Sequence, residues 1–238
     1  MKWDDYDAAL FDLDGVLTPT ADVHMRAWDE MFNGYLATRP GQRTYTDRDY
    51  YDYVDGKPRY DGVRTFLASR GIVLPEGAPT DSPAMETVCG LGNRKNAEFA
   101  RILETEGVEP YPASVALLDF LARRGTGVAV VSSSRNAPAV LAAAGLADRF
   151  EIVVDGRVAA ATGLPGKPAP DTFLHAAERL GVSRQRSVVL EDALSGVQAG
   201  RAGRFGLVVG VDRGAGAEEL IANGADVVVH ELDELIED

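Results

Sequence analysis

Residues 9–20, ALFDLDGVLTPT, join an apolar run to two aspartates that lie two positions apart. The apolar run begins at Ala8 and has the length and composition of a buried β-strand, and Asp12 and Asp14 follow where that strand ends. In an open parallel sheet, ligands bind beyond the carboxyl ends of the strands. The stretch therefore predicts a strand of an α/β sheet with two carboxylates placed at a binding edge.

The second half of the chain extends this pattern. Short apolar runs alternate with helical periodicity from about residue 110 onward, which is typical of βαβ units in a parallel sheet. The predicted strands are GVAVV (127–131), FEIVV (150–154), SVVL (187–190), GLVVG (206–210) and DVVV (226–229). Several of the helical segments between them end at a glycine suited to close a helix. This part of the chain predicts a doubly wound α/β core with a parallel sheet.

Residues 20–107 interrupt the alternation, because they show helical periodicity and no strand pattern. Within them lies a polar stretch whose tyrosines we interpret as one face of the insert: Tyr45, Tyr50, Tyr51 and Tyr53. We therefore expect a core domain of residues 1–19 and 108–238, with an inserted α-helical domain of residues 20–107.

The composition limits the classes of partner. The formal net charge of −13 gives an average field that repels nucleic acid and anionic membranes, so we expect neither as a partner. A small anion would need a local basic site. Cys89 is the single cysteine of the 238 residues, which excludes an internal disulfide and a zinc cluster built on thiolates. The first ten residues lack the apolar stretch of a signal peptide, and no segment approaches the ~18 apolar residues of a membrane span, so we expect a cytoplasmic protein.

Polar side chains end three of the predicted strands and precede one helix. They are Asp12 and Asp14, then Ser132 to Arg135, then Glu191 and Asp192, with Lys167 in the segment GKPAPD. The carboxyl ends of parallel strands meet at one edge of the sheet, so we expect these side chains to converge on one crevice. Several carboxylates at one point require a cation, and an all-oxygen donor set suits Mg²⁺ better than zinc.

Phosphoryl transfer is the chemistry that this combination favours, because protein-bound Mg²⁺ usually pairs with a substrate phosphate. One aspartate can attack phosphorus to form an aspartyl phosphate while the other donates and accepts the proton. The serine and the lysine would then hold phosphate oxygens. Each feature also has a plainer interpretation: a solvated turn for the aspartate pair, a helix cap for the serines, and an acidic helix start for Glu191 and Asp192.

Four motifs occur in the order found in the haloacid dehalogenase superfamily: FDLDGVLT (11–18), the strand-terminal Ser132, GKPAPD with Lys167, and LEDALSGVQAG (190–200). The helical insert resembles the small cap of the β-phosphoglucomutase-like subgroup. The resemblance implies that Asp12 is the nucleophile and that Asp14 is the general acid and base, with its carbonyl a metal ligand. It implies that Ser132 and Lys167 bind the transferred phosphate and that Glu191 and Asp192 complete the Mg²⁺ site with Asp12.

Three residues of the insert resemble substrate contacts of the mutases. His24 corresponds to a hinge histidine that couples substrate binding to proton transfer, although a packing role is an equally good interpretation. Arg59 resembles the arginine that binds the distal phosphate, with a solvated surface role as the alternative. Lys95, in the setting RKN, resembles a polar substrate contact rather than the Schiff-base lysine of phosphonate hydrolases.

The core contributes a further set that resembles the mutases' S-K-N sequence at the distal phosphate: Ser134, Arg135 and Asn136. Here arginine replaces lysine, and its planar fork also suits phosphate.

These resemblances imply isomerisation of β-glucose 1-phosphate to glucose 6-phosphate, dependent on Mg²⁺, with glucose 1,6-bisphosphate as activator. A sugar-phosphate phosphatase is the alternative in the same fold. A catalytically idle binding module would be expected to lack Asp12 or Asp14, and both are present. Haloacid dehalogenases themselves lack the second aspartate, so Asp14 favours phosphate over carbon–halogen substrates. The sequence leaves the sugar and the oligomeric state open.

Overall fold

The computed structural model describes residues 1–236, and the chain divides into two compact units. Met1–Thr20 and the chain from Val108 onward form the core unit, and Ala21–Gly107 form the helical unit. The helices are α1 (Thr20–Leu36), α2 (Asp47–Tyr53), α3 (Arg59–Ser69), α4 (Val88–Glu106), α5 (Pro112–Arg124), α6 (Ala137–Ala143), α7 (Gly156–Thr162), α8 (Asp171–Leu180), α9 (Leu194–Gly203) and α10 (Ala217–Ala222). Among the helices of residues 1–236, none has both the length and the apolar composition needed to cross a membrane.

A parallel six-stranded sheet organises the core unit. Its strands are β1 (Ala8–Phe11), β2 (Gly127–Val131), β3 (Ile152–Val154), β4 (Ser187–Glu191), β5 (Leu207–Val211) and β6 (Val227–Val229), in the order β3-β2-β1-β4-β5-β6. β1 is central, and Ala8 is paired with Gly127 on one side and with Ser187 on the other. Every residue of β1 and β4 is buried, because helices cover both faces of a parallel sheet. The strand order reverses between β1 and β4, and a doubly wound sheet binds its ligand at such a point.

Helices α8 and α9 cover this sheet with apolar side chains. α8 lies against β1, β2 and β3, and α9 lies against β4 and β5. Phe173 of α8 and Val197 of α9 are fully buried in one cluster with Leu10 and Val189. Burying side chains of this size contributes about 1.5–3 kcal/mol each. The two helices thus cover the two central strands, whose parallel pairing places the carboxyl ends of β1 and β4 beside each other.

The sequence-based prediction of a doubly wound parallel sheet is confirmed, and the predicted strands are all present. The edge strand β3 begins at Ile152 rather than Phe150, because its ladder with β2 starts at the pair Ala129–Ile152. β4 extends one residue further than predicted and includes Glu191. The short helices α7 and α10 were not predicted individually.

The helical unit has an aromatic core of its own. Phe32 of α1 packs on Phe66 of α3 with 4.1 Å between ring centroids, and Tyr45 contacts both rings at 5.0 Å. Tyr45 and Tyr50 are buried, whereas Tyr51 is 43% exposed. The interpretation of the tyrosines as one face of the insert is therefore corrected, because two of them pack in the interior.

A buried ion pair joins α2 to the end of α3. Arg70 donates to Asp49 at 2.8 Å, and both side chains are almost fully buried, at 4% and 6% exposure. The same guanidinium donates to the carbonyls of Arg43 at 2.9 Å and Thr44 at 3.2 Å. Asp49 also forms a capping box with Thr46 at the start of α2. One arginine therefore fixes the approach to α2.

Candidate active site

The turn after β1 places the first aspartate between the two central strands. The backbone N–H of Asp12 donates to the carbonyl of Leu190 in β4 at 2.9 Å, and the Asp12 side chain is buried. Gly15 follows with φ +84°, and a Cβ added there would lie 1.9 Å from Oδ2 of Asp192. Glycine suits this turn, because a side chain here would strain the backbone at positive φ and would have to displace the Asp192 carboxylate.

Lys167 joins the first and fourth strand ends. Its Nζ donates to Asp12 Oδ1 at 2.5 Å, to Glu191 Oε1 at 2.5 Å and to the carbonyl of Val131 at 2.9 Å, so all three ammonium hydrogens have acceptors. The second carboxylate oxygen of Glu191 accepts from the N–H of Ala193 at 3.1 Å. The sequence predicts that Asp12, Lys167 and Glu191 converge, and the structure brings their side chains into contact at this edge of the sheet.

The charges of this cluster favour a second cation. Burial by itself would lower the pKa of Lys167, but the Asp12 and Glu191 carboxylates outweigh it and raise that pKa above its usual value. Burial raises the pKa of Asp12; the Lys167 ammonium opposes this, while Glu191 and Asp14 add to it. One ammonium does not balance four carboxylates, so an additional positive charge is needed to keep Asp12 ionised.

Asp12, Glu191 and Asp192 provide an oxygen-only donor set for such a cation. One carboxylate oxygen from each of the three lies within 4.8 Å of the other two. Hard oxygen donors without nitrogen or sulfur fit Mg²⁺, and the unbalanced negative charge described above fits it as well. The carboxylate of Asp14, by contrast, is held by hydroxyl groups.

Two hydroxyl groups hold the side chain of Asp14. Thr20 Oγ1 donates to Asp14 Oδ1, and Ser132 Oγ lies 3.4 Å from Asp14 Oδ2. Thr18 Oγ1 lies 2.8 Å from Thr20 Oγ1 and extends the network. Thr18 and Thr20 are site residues that sequence reasoning missed, although both stand in the stretch GVLTPT directly after Asp14.

The loop after β2 carries the predicted serine, arginine and asparagine positions. Ser132 Oγ accepts from the N–H of Ser134 at 3.0 Å, and Ser134 Oγ accepts from the N–H of Asn136 at 3.1 Å. The carbonyl of Ser134 accepts from the N–H of Gly156 at 3.1 Å. These bonds hold Ser132 beside Asp14 and place Ser134, Arg135 and Asn136 on the same loop. The hydroxyls thus have a turn-forming role in addition to the predicted one.

In the helical unit, the structure brings two of the three predicted residues together. Lys95 is 3% exposed, and its Nζ contacts Nδ1 of His24. The ammonium lies 5.1 Å from the Trp28 ring centroid and 4.9 Å from that of Phe99, and the His24 ring stacks on Phe99 at 4.1 Å. A Lys95 donor requires Nδ1 of His24 to be unprotonated.

Arg59 is held by two asparagines of α4 that sequence reasoning did not find. Its Nη2 donates to Asn96 Oδ1 at 2.7 Å, and its Nη1 lies 3.4 Å from Asn93 Oδ1. Asn93 also accepts from the hydroxyl of Tyr60 at 3.0 Å. No sequence signal identified these contacts, because Arg59 and Asn96 are 37 positions apart.

Residues 6–204 match a family model described as haloacid dehalogenase-like hydrolase. The chain belongs to this family. Among the curated relatives of this haloacid dehalogenase-like protein, a beta-phosphoglucomutase of Mycobacterium bovis is 52% identical over 240 residues, covering 96% of this chain and 91% of the relative. A fructose-1-phosphate phosphatase of Escherichia coli is 32% identical over 197 residues, covering 83% of this chain and 92% of the relative.

Solved structures agree on the fold. The beta-phosphoglucomutase of Clostridium difficile has a TM-score of 0.77 at 24% identity, covering 97% of this chain and 93% of that one. At this identity the likeness shows the fold alone. The family match and the curated relatives carry the activity: the haloacid dehalogenase-like chain is an enzyme of the phosphotransferase and hydrolase type, with a mutase and a phosphatase among its relatives.

Proposed function

We propose that this enzyme isomerises a β-hexose 1-phosphate, β-glucose 1-phosphate in the first instance, to the 6-phosphate through an acyl phosphate on Asp12. The observation that carries the proposal is the buried Asp12 carboxylate, bound by Lys167 and adjoining Glu191 and Asp192. The 52% identity to a beta-phosphoglucomutase over 96% of the chain supports the mutase over other reactions of the family.

In the first step, an Asp12 carboxylate oxygen forms a bond to one phosphorus of glucose 1,6-bisphosphate as the bond from that phosphorus to the departing sugar oxygen breaks, which leaves a glucose monophosphate. Hydrogen bonds to Asp12, Glu191 and the carbonyl of Val131 fix Lys167 in place, so the charge of its ammonium lies beside the oxygens of the transferred phosphoryl group. Ser132 is the second residue that we assign to these oxygens.

Asp14 moves the proton that this step requires. As a carboxylic acid it protonates the departing sugar oxygen, and as a carboxylate it takes the proton from the hydroxyl that next attacks the phosphoaspartate. Thr20 Oγ1 donates to its carboxylate, and Ser132 Oγ lies 3.4 Å from the second carboxylate oxygen. A group fixed in this way needs little reorientation between the two half-reactions.

Mg²⁺ would be held by the carboxylates of Asp12, Glu191 and Asp192 together with the backbone carbonyl of Asp14. When bound there, the ion supplies Lewis-acid neutralisation of the phosphoryl oxygens. The negative excess of the cluster supports this assignment.

A mutase must also bind the phosphate that is not reacting. We assign it to Arg59, with Ser134, Arg135 and Asn136, and we assign the sugar to His24 and Lys95. Arg59 is pre-oriented by Asn96, which lowers the entropic cost of using its guanidinium. Glucose 1,6-bisphosphate is then the activator, since it carries both phosphates and can phosphorylate Asp12.

Sugar phosphates do not cross a bilayer unaided, which favours the cytoplasm expected from the sequence.

The test is an assay of β-glucose 1-phosphate with Mg²⁺ and a trace of glucose 1,6-bisphosphate, measuring glucose 6-phosphate and free phosphate together. We expect the isomer to form much faster than free phosphate. Steady release of phosphate without an isomer from any β-hexose 1-phosphate would establish the phosphatase instead, which the 32% identity to a fructose-1-phosphate phosphatase makes the second candidate.

A further inference from the structure

The turn that carries Asp14 is held through its backbone carbonyls. Those of residues 15 to 18 accept hydrogen bonds from, in that order, Arg213 Nε at 3.0 Å, Ser114 Oγ at 2.7 Å, Tyr111 N at 3.0 Å and Gly15 N at 2.7 Å. Each of these four carbonyls therefore has a donor, as buried backbone requires. Among these donors, Arg213 carries a charge and comes from the loop after β5, almost 200 residues along the chain.

Arg213 is itself fixed on three sides. Its Nη1 and Nη2 bind the two carboxylate oxygens of Glu231 at 2.9 and 3.1 Å, and its guanidinium lies 4.1 Å from the ring centroid of Tyr111. The Arg213 side chain is 19% exposed. A planar fork that is paired at both Nη atoms and stacked on a ring presents its Nε in one direction. In that direction lies the carbonyl of Gly15, which accepts the Nε–H.

Gly15 lies between the two functional parts of the site. Gly15 is bonded directly to Asp14, and a Cβ added to Gly15 would overlap the carboxylate of Asp192. The hydrogen bond with Glu231 raises the pKa of Arg213, and the charge of Asp192 contributes in the same direction. A displacement of Gly15 would therefore move Asp14 and would also alter the surroundings of Asp192.

We propose that Arg213 is a positioning residue for phosphoryl transfer, which sets the Asp14 carboxyl for protonation of the departing sugar oxygen by binding the carbonyl of Gly15. This inference rests on the proposed function, because it takes Asp14 as the proton donor. Glu231 acts through Arg213 and does not contact the turn directly.

A second ion pair of the core unit supplies a matched control. Arg186 binds both carboxylate oxygens of Asp7, and the two side chains are 47% and 52% exposed. They directly precede β4 and β1, at the amino ends of the strands, opposite the carboxyl ends where Asp12 lies. Arg186→Met therefore removes a forked arginine–carboxylate pair without touching the turn.

The experiment compares two leaving groups in a single turnover, with Mg²⁺ present and enzyme in excess. One substrate is glucose 1,6-bisphosphate, whose departing sugar oxygen needs a proton, and the other is p-nitrophenyl phosphate, whose p-nitrophenolate leaves unprotonated. We expect Arg213→Met to slow release of the glucose monophosphate by ~10- to 100-fold, the range for a catalytic group displaced by about 1 Å. Release of p-nitrophenolate should change by less than about 3-fold, and Arg186→Met should affect neither.

Equal slowing of the two substrates, or no slowing, would overturn the assignment of Arg213. Asp14→Asn serves as the reference. If its slowing does not depend on the leaving group, the proposed role of Asp14 as proton donor fails. If its slowing depends on the leaving group and that of Arg213→Met does not, only the positioning role of Arg213 fails.

Glu231→Gln covers the case in which Arg213→Met does not fold, because it keeps Arg213 and the size of its partner. We expect the same dependence on the leaving group with a smaller magnitude. In the double variant, Glu231→Gln should add nothing to Arg213→Met, since both changes act on one contact. Additive effects would contradict action through Arg213.

Discussion

Asp12 and Asp14 are two positions apart, yet the contacts described for their two carboxylates differ. Asp12 is bound by an ammonium and adjoins two carboxylates, whereas Asp14 is bound by hydroxyls. With a bound Mg²⁺ added to the charge of Lys167, Asp12 would stay ionised and could attack phosphorus, and Asp14 is then the carboxyl group left to move the proton. The difference in neighbours is the physical basis for assigning separate roles to the pair.

Asp12→Asn tests the nucleophile. The amide keeps the size of the side chain but removes its nucleophilic oxygen, so transfer of labelled phosphate from glucose 1,6-bisphosphate to the protein should be abolished. Asp14→Asn should still take up the label, with turnover slowed by ~10²- to 10⁴-fold. The measurement is acid-quenched labelling followed by hydroxylamine treatment. Labelling of the Asp12→Asn protein would mean that another residue is the nucleophile.

Thr20→Val tests the network around Asp14. Valine preserves the shape of the threonine but leaves Asp14 Oδ1 without this donor, and a hydrogen bond to a charged group contributes about 1.5–3 kcal/mol. We expect kcat to fall by ~10- to 100-fold and the pH–rate profile to shift, because the proton affinity of Asp14 changes.

Thr162→Val is the control for this change, since Thr162 Oγ1 donates to the carbonyl of Val158 within α7 and is exposed. It should leave the rate and the pH profile unchanged. An unchanged pH profile in Thr20→Val would show that Thr20 does not support Asp14.

Residues that belong to a motif and lie at a strand end, such as Asp12, Lys167 and Glu191, could be predicted from the sequence. The structure brings these three side chains together. The sequence did not predict Thr20 or Arg213. Threonines after a strand are common in turns, and Arg213 reaches Gly15 only through folding. The contacts of Arg59 with Asn93 and Asn96 were missed for the same reason, because they depend on how α3 packs against α4.

At the scale of elements, the strands were easier to predict than the insert. β1 and β4 are buried throughout and β2 over its last three residues, so all three are largely apolar runs, and their predicted bounds agree to within one residue. In the insert, composition alone did not show that Tyr45 and Tyr50 would be buried, since tyrosine occurs both in cores and on surfaces. The ladder partners that define the start of the edge strand β3 are likewise set by tertiary pairing.

Arg70→Met should destabilise the helical unit strongly. It leaves Asp49 buried without its close cationic partner and removes a donor from the carbonyl of Arg43. Breaking a buried pair on one side costs about 3–5 kcal/mol. The measurement is urea unfolding followed by Trp28 fluorescence in a Trp3→Phe background, so that the signal comes from the helical unit.

The control is Arg48→Met, which removes an exposed pair with Asp52 on α2, at 90% and 47% exposure. An exposed i,i+4 pair contributes about 0.3–0.5 kcal/mol, so the free energy of unfolding should barely change. Similar losses in the two variants would contradict a special role for the buried pair.

At the scale of the whole molecule, the two units should respond differently to Mg²⁺. The proposed ligands all belong to the core unit, and a ligand present at 100 times its dissociation constant stabilises the state that binds it by about 2.7 kcal/mol. Trp3, which donates to the carbonyl of Leu235, reports on the core unit in a Trp28→Phe background. We expect Mg²⁺ to move the Trp3 transition to higher urea concentration.

Asp192→Ala should remove most of that shift, because it deletes one of the three carboxylates. Arg149→Met, which breaks an exposed pair with Asp119 in the same unit, should leave the shift intact. An unreduced shift in Asp192→Ala would place the ion elsewhere.

The position of β1 at the centre of the sheet has a consequence for biosynthesis. Residues 8–11 leave the ribosome first, but their two neighbours are residues 127–131 and 187–191. At ~5–20 residues per second, the second neighbour appears roughly ten seconds or more after the strand that it must pair with. Until residues 127–131 appear, the apolar segment has neither ladder partner, while residues 21–107 already contain every member of the aromatic core of their own unit. The nascent chain must therefore shield one short hydrophobic segment until the codons for β4 have been read, and Asp12 cannot meet Glu191 before then.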